Sequence, residues 1–184
     1  KKKSNLGIKT LKNICGIETN LNTYHLGYII GPRINAGGRV GKCSHGANLL
    51  ISRDSKEIFK IASELETYNK ERKLIENNML KKIESSIVID TNEPVIVLSG
   101  HNWHGGIIGI VAARIKEKYN KPTVIISVEK GLGRASARSV VGFDIGTLII
   151  SAVQNNILKK GGGHKMAGGF SIEEEKIEEF KHFI

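Results

Sequence analysis

A long, highly charged stretch without glycine or proline, residues 54–86, is the feature that most limits how this chain folds. Large side chains recur in it at helical spacing, namely Ile58, Ile61, Leu65, Tyr68, Ile75, Met79 and Ile83. At 1.5 Å per residue, one helix over this stretch is about 50 Å long, more than a small domain uses internally. We therefore predict a connecting helix that begins after an N-cap at Asp54. Two helices broken near Asn77 and Asn78 are the alternative.

The chain divides on this basis into residues 1–53, a connecting helix within residues 54–88, and residues 89–184. Residues 1–53 mix turn signals with short apolar segments. The third part alternates strand and helix patterns, and a right-handed crossover makes its first two strands parallel, so we predict an α/β fold with a mixed sheet. Its predicted elements are a strand over 94–99, a helix over 106–119, a strand over 123–128, a glycine-rich strand or loop through Arg138, a helix from Asp144 to Gln154, and a strand over 169–172.

The net charge of +10 is concentrated in two regions. Residues 1–53 carry nine basic side chains and one acidic one, and residues 91–170 carry ten basic and four acidic side chains. This excess predicts a polyanionic partner such as nucleic acid, and a basic surface without a specific partner is the alternative. Only five Phe and four Tyr are present, so contacts to the nucleic-acid backbone should dominate over stacking on bases.

Cysteine usage and hydropathy indicate a cytoplasmic protein that does not contact membranes. Cys15 and Cys43 are too few for a disulfide scaffold, and no apolar run approaches the ~20 residues that span a bilayer. The chain lacks an initiating Met and stops within a Glu-rich helical pattern that begins near Glu173. We interpret it as a fragment of a longer protein.

A candidate phosphate-holding surface lies near the end of the chain, where three glycines precede a histidine. Glycine lets the backbone approach an anion closely, and nearby Arg and His side chains donate charge-assisted hydrogen bonds. The residues are Gly161, Gly162, Gly163 and His164, with Arg134 and Arg138 shortly upstream. A tight turn after a helix, with an incidental imidazole, is the alternative.

Four separated stretches carry a resemblance to a known family: residues 31–39, 103–114, 136–142 and 161–169. They resemble, in the same order, the RecJ family of single-strand-specific exonucleases within the DHH phosphoesterase superfamily. The first stretch, Gly-Pro-Arg-Ile-Asn-Ala-Gly-Gly-Arg, is the most specific. The resemblance implies that residues 1–53 close the DHH catalytic lobe and that residues 89–184 form a smaller DHH-associated nucleic-acid-binding domain, truncated at its end.

The resemblance also implies roles for residues of the DHH-associated domain. Ser136 and Arg138 would grip the 5′-terminal phosphate of a single strand, with Arg134 as a weaker candidate. The glycine triplet and His164 would hold the phosphate nearer the scissile bond, where His164 would stabilise charge as hydrolysis proceeds.

Further site residues are implied on a loop and in the first lobe. His104 would line the loop beside the phosphate site, and its neighbour Trp103 either stacks on a base or anchors the helix that follows. Arg33, Asn35 and Arg39 would face the substrate cleft from the catalytic lobe. The alternative for these three is a hydrogen-bonded hinge that holds the lobe to the long helix.

Members of the family hydrolyse phosphodiesters with two divalent ions, Mn²⁺ or Mg²⁺, held by clustered Asp and His residues. This chain has three aspartates, Asp54, Asp90 and Asp144, which are scattered and better explained as helix caps or turn residues. Two-metal hydrolysis needs clustered carboxylates. We therefore expect no metal centre in this chain and no nuclease activity of this fragment alone.

The function that the resemblance implies is 5′-to-3′ hydrolysis of single-stranded DNA in recombination and repair. The expected partners are single-stranded DNA with a 5′-phosphate, a helicase and a single-strand-binding protein. Two alternatives stay open. One is a phosphodiesterase of the same superfamily that acts on short oligoribonucleotides or cyclic dinucleotides, and the other is a nucleic-acid-binding homologue without catalysis.

Overall fold

The computed structural model describes residues 5–86, 89 and 92–184. The chain forms two compact units, Lys1–Ile75 and Glu76–Ile184. The first unit is helical, and its core contains the fully buried Leu11, Leu49 and Leu65. Its elements are helix α1 (Leu6–Ile14), a π-helical turn (His25–Ile30), α2 (Gly31–Val40), α3 (His45–Ile51) and the first part of α4 (Ser55–Ser86).

The glycines that give residues 31–39 the composition of a turn lie inside helix α2. Gly37 is required by close packing, because a Cβ at this position would lie 2.5 Å from the carbonyl oxygen of Lys42. The turn signals of this region therefore reflect helix packing rather than loops.

Helix α4 is unbroken over 32 residues, which confirms one long helix in place of two. Asp54 caps it, since its carboxylate accepts a hydrogen bond from the Lys56 N–H at 2.9 Å and its carbonyl accepts one from the Ile58 N–H at 2.9 Å. The helix contributes residues to both units.

The second unit is built on a five-stranded sheet in the order β1-β2-β3-β5-β4. Strands β1 and β2 are parallel, as predicted, and the other neighbours are antiparallel, so the sheet is mixed and the predicted α/β class is confirmed. Its elements are β1 (Ile96–His101), α5 (Ile108–Tyr119), β2 (Thr123–Glu129), β3 (Leu132–Arg138), α6 (Ile145–Gln154), β4 (Lys160–His164), β5 (Ala167–Glu173), a 3₁₀ turn (Glu174–Lys176) and α7 (Ile177–Phe183).

The two faces of the sheet are covered differently. On one face α6 and α7 bury the main core of the unit, which includes Ile126, Ile149 and Phe180. On the other face α5 packs against β2 and β3, with Gly109 against the side chain of Ser136. Strand β4 lies at the sheet edge, and all of its residues are exposed. The part of this second face over β5 and β4 is therefore accessible.

The glycine triplet lies in edge strand β4 and not in a turn. Residues 165–166 form the turn, between two strands that pair in antiparallel register. A Cβ at Gly161 would lie 2.6 Å from the side chain of Ile149 on α6, so glycine is needed for the helix to pack here. Consecutive glycines carry no alternation of apolar side chains, which is why sequence patterns did not indicate this strand.

We expect Ile149→Ala to lower the free energy of unfolding of the second unit by about 2–5 kcal/mol, because Ile149 is fully buried against the glycine strands. The next residue, Ile150, is 49% exposed and provides a matched control. Ile150→Ala should change the same quantity by about 0.5 kcal/mol or less. Urea unfolding followed by circular dichroism measures both, and equal losses would contradict the packing of α6.

Candidate nucleic-acid interface

Strand register brings the three predicted residues of β3 to the same side of the sheet as Gly162 and His164 of β4. The predicted Gly161 and Gly163 alternate with these two and lie on the opposite side. Side chains alternate along a strand, so Arg134, Ser136 and Arg138 share the face that α5 partly covers. Ser136 pairs with Gly169 of β5, which in turn pairs with Gly162 of β4. We call this surface the open face, and its three rows are Arg134, Ser171 and Lys160; Ser136, Gly169 and Gly162; Arg138, Ala167 and His164.

The three glycines of β4 are not equivalent. A Cβ at Gly161 would meet the side chains of Ile149 and Phe170 at 2.6 and 2.8 Å, and one at Gly163 would meet the carbonyl oxygen of Ala167 at 2.5 Å. Packing therefore accounts for both. A Cβ at Gly162 would meet nothing within 4 Å. This glycine leaves bare backbone in the middle of the open face, where an anion can approach closely.

Arg138 is held in place by its own strand. Its Nη1 donates to the carbonyl of Ala137 at 2.7 Å and to the hydroxyl of Ser136 at 3.2 Å. Both hydrogens of Nη1 are used, so Nε and Nη2 are left to form a two-point contact with a phosphate. Gly109 provides the room, because a Cβ there would lie 3.0 Å from Nη2 of Arg138 and 3.0 Å from Oγ of Ser136. The positive end of the α5 dipole lies beside this pair.

The two histidines of the site have the same local geometry. Nδ1 of His164 accepts a hydrogen bond from the Met166 N–H at 3.3 Å, and Nδ1 of His104 accepts one from the Gly106 N–H at 3.1 Å. Since Nδ1 accepts, the neutral ring carries its proton on Nε2. Both rings are exposed, so each can present an N–H donor to a ligand.

The basic side chains of the open face lack acidic partners. Among the described residues, none of Arg134, Arg138, Lys160 and His164 forms an ion pair with a carboxylate. Glu173 lies two residues after Ser171 on the same face of β5, but its carboxylate is bound by Lys159 at 3.0 Å. That hydrogen bond lowers the pKa of Glu173 below its ordinary value. Within the described part of the chain these four basic side chains have no carboxylate in contact with them, which favours an anionic ligand.

Trp103 anchors the loop that carries His104. It is 7% exposed and packs on Gly100, where a Cβ would lie 2.5 Å from the indole. Its carbonyl accepts a hydrogen bond from the hydroxyl of Ser127 at 2.6 Å, and Ser127 pairs with Arg134. Of the two interpretations of Trp103, the anchor fits this burial, and its hydrogen bond from Ser127 ties the loop to strand β2.

Arg33, Asn35 and Arg39 lie on α2 of the first unit. Nε of Arg33 pairs with the Glu66 carboxylate of α4 at 2.5 Å, and its Nη1 donates to the Ile29 carbonyl at 2.7 Å. This contact is the one that the alternative, a hydrogen-bonded hinge to the long helix, requires of Arg33. Asn35 is exposed and Arg39 is half-buried, and a substrate role for all three stays a prediction.

The aspartates of the described residues act as helix caps. The Asp144 carboxylate accepts a hydrogen bond from the Thr147 N–H at 3.1 Å at the start of α6, as Asp54 does for α4, and Asp90 lies outside the described residues. Within residues 5–86, 89 and 92–184, no group of three His, Cys, Asp or Glu side chains could hold a metal ion. The residues within these ranges do not fit a divalent metal centre.

Several residues at this surface were not among the predicted set, namely Ala167, Gly169 and Ser171 of β5 together with Gly109 and Lys160. Gly109 contacts Ser136 and Arg138 from another element, and Lys160 directly precedes the glycine triplet. Adjacency to the triplet could have indicated Lys160, but only the helix position reveals Gly109. Among all the helices that the structure describes, none combines the length and apolar character needed to cross a membrane.

Residues 92–184 match the family model of the DHHA1 domain. This match covers half of the chain and agrees with the mixed sheet and its open face. The chain belongs to the DHHA1 domain family.

Similarity to RecJ proteins extends beyond that domain. The single-stranded-DNA-specific exonuclease RecJ of Haemophilus influenzae is 35% identical over 188 residues, which is 97% of this chain and 33% of that protein. Crystal structures of RecJ from Thermus thermophilus with Mg²⁺ and with Mn²⁺ match with TM-scores of 0.86 and 0.87 and identities of 29% and 30%, over 98% of this chain and 28% and 26% of theirs. The predicted resemblance to RecJ is confirmed. The chain spans a third or less of the length of these relatives.

Alanine substitutions in the glycine triplet test the assignment of each position. Gly161→Ala should lower the free energy of unfolding by about 1–3 kcal/mol, because the added methyl group overlaps Ile149 and Phe170. Gly162→Ala should change it by about 0.5 kcal/mol or less, because the methyl group enters open space. Thermal unfolding compares the two, and a loss at Gly162 as large as at Gly161 would contradict this description of the open face.

Proposed function

We propose that this chain is the strand-holding part of a RecJ-type exonuclease, which hydrolyses single-stranded DNA from the 5′ end in recombination and repair. The open face carries the proposal, because it combines a floor of glycine backbone with basic side chains that lack acidic partners among the described residues. Surfaces of this kind bind the phosphate backbone of nucleic acids. The similarity to proteins named RecJ, over nearly the whole chain, supports DNA as the substrate.

Ser136 and Arg138 are the proposed contacts of the terminal 5′-phosphate. The hydrogen bonds of Nη1 within β3 orient the guanidinium, so less side-chain freedom is lost on binding. Nε and Nη2 would donate to two phosphate oxygens, and the Ser136 hydroxyl would add a third hydrogen bond. A 5′-hydroxyl end offers no such anion, so the proposed site distinguishes the two ends.

His164 and Gly162 are the proposed contacts of the phosphate nearer the scissile bond. Gly162 permits close approach of the backbone, and the Nε2–H of His164 would donate to a non-bridging oxygen. A donor at this oxygen stabilises the charge that develops as the bond breaks. His104 would provide a similar donor from the loop that Trp103 anchors.

The divalent ions of the reaction are proposed to lie outside this chain. The Thermus thermophilus structures contain Mg²⁺ or Mn²⁺, and the described residues here do not fit such an ion. We infer that this chain alone binds DNA without hydrolysing it.

The three parts of the chain have different proposed roles. Residues 1–53 would complete a catalytic DHH domain and contribute Arg33, Asn35 and Arg39. Residues 54–88 would connect the lobes, and residues 89–184 would bind the strand.

The proposed substrate suggests the surroundings in which the protein works. Single strands with 5′-phosphates arise when a helicase unwinds nicked or broken duplex DNA, and a single-strand-binding protein would meet the same strand. We propose both as partners, in the cytoplasm.

Fluorescence anisotropy with three labelled DNAs tests this function: a single strand with a 5′-phosphate, the same strand with a 5′-hydroxyl, and a blunt duplex. The phosphorylated single strand should bind most tightly, by about tenfold, and Arg138→Ala should abolish that preference. Lys118→Ala is the charge-matched control, since Lys118 pairs with Glu84 at 2.5 Å on an exposed surface. Equal affinity for all three DNAs, unchanged in Arg138→Ala, would contradict the proposal.

Gly162→Ala provides a second variant in the same experiment. Its methyl group fits the folded chain but occupies the floor of the open face, so it should weaken binding while thermal unfolding stays unchanged. Unlabelled oligoribonucleotides and cyclic dinucleotides serve as competitors. Competition by either at lower concentration than single-stranded DNA would favour the alternative phosphodiesterase function.

A further inference from the structure

A second basic row crosses the open face at the end away from Arg138. Arg134 of β3 pairs with Ser171 of β5, which pairs with Lys160 of β4. Arg134 and Lys160 are exposed, and the Ser171 hydroxyl lies between them. A depression of about 430 Å³ opens at this row, and it is lined by Arg134, Lys160, Gly161, Gly169, Phe170 and Ser171.

This row carries positive charge that nothing on the described chain neutralises. Neither Arg134 nor Lys160 has a carboxylate partner among the described residues, whereas Lys118 and Lys159 each have one. The nearby carboxylate of Glu173 is bound by Lys159 at 3.0 Å. Lys159 thus screens the acidic group that borders the row, and an anion is favoured between Arg134 and Lys160.

The spacing separates this row from the Ser136 and Arg138 pair. Arg134 and Arg138 are four residues apart on β3, which is about 13 Å at the rise of an antiparallel strand. The backbones of β3 and β4 are about 10 Å apart across β5, so the long side chains of Arg134 and Lys160 can converge over Ser171. Arg138 cannot join them, because its Nη1 is bonded to Ser136 and Ala137.

We propose that Arg134, Lys160 and Ser171 form a second phosphate subsite, which holds an internal backbone phosphate of the strand whose 5′-phosphate is bound at Ser136 and Arg138. This inference rests on the proposed function and adds a direction to it. The strand leaves the terminal subsite and runs along β3 over the glycine floor toward Arg134 and Lys160. A mononucleotide, which has one phosphate, fills only the terminal subsite.

The test compares thymidine 5′-monophosphate with a 5′-phosphorylated oligothymidylate of about ten nucleotides, a length within the range that single-strand grooves occupy. Binding to the whole chain is measured by calorimetry across a range of salt concentrations. The variants are Arg134→Gln, Lys160→Gln and their combination, with Lys118→Gln as the control. Thermal unfolding of each variant establishes that the fold is retained.

We expect each single variant to weaken oligonucleotide binding by about threefold to tenfold and to leave mononucleotide binding unchanged. The double variant should also reduce the magnitude of the slope of log affinity against log salt by about 0.7, the value for one phosphate contact on a single strand, and each single variant should reduce it by no more than that. Because both side chains hold the same phosphate, the double variant should lose less than the product of the single losses.

Oligonucleotide affinities that match the Lys118→Gln control would overturn the second subsite, as would equal losses with the mononucleotide. These outcomes are distinct from failure of the proposed function. If the 5′-phosphate preference survives in Arg134→Gln, the terminal site stands whatever happens to the second one. If wild-type protein shows no 5′-phosphate preference but the length-dependent losses appear, the second subsite binds phosphate without the proposed terminal contact.

Discussion

The close packing of helix α6 against the glycine strands β4 and β5 is the constraint on which the open face depends. Ile149 fills the space that a side chain at Gly161 or Gly168 would need. Glycine in a strand costs conformational entropy and offers no side chain for cross-strand packing. The burial of Ile149 offsets that cost on the covered face. On the open face, Gly162 of β4 and Gly169 of β5 expose backbone. The basic side chains of β4 on this face, Lys160 and His164, lie at the two ends of the strand.

The open face is organised before it meets a ligand. Arg138 is tied to its own strand, both site histidines have Nδ1 bonded to a backbone N–H, and Lys159 screens Glu173. Donors that are already oriented lose less freedom on binding. The contacts that we propose are to phosphate rather than to base edges, and the described aromatic side chains Trp103 and Phe170 are both buried. The arrangement suits a protein that positions any single strand regardless of sequence.

Features with local signals could be predicted from the sequence, and features that depend on distant contacts could not. The long helix follows from an apolar repeat without glycine or proline. The glycine-rich stretch through Arg138 fits a strand or a loop by its sequence, and it is a strand because β2 and β5 pair with it on either side. Lys160 joins that face only through the register of β5, which non-local pairing sets. Arg33 contacts Glu66 from 33 residues away, and the glycine triplet is a strand that pairs with β5 and packs against Ile149 of α6. Patterns within a short window contain neither fact.

Chemical-shift mapping of the isotope-labelled chain tests the central claim most directly. A 5′-phosphorylated dinucleotide of thymidine, which has one terminal and one internal phosphate, is titrated while the backbone amide resonances are followed. If the open face holds phosphate, the largest saturable shifts occur at the amides of Ser136, Arg138, Gly162 and His164, and they disappear in Arg138→Ala. Saturable shifts confined to other surfaces, with these four amides unchanged, would contradict the account.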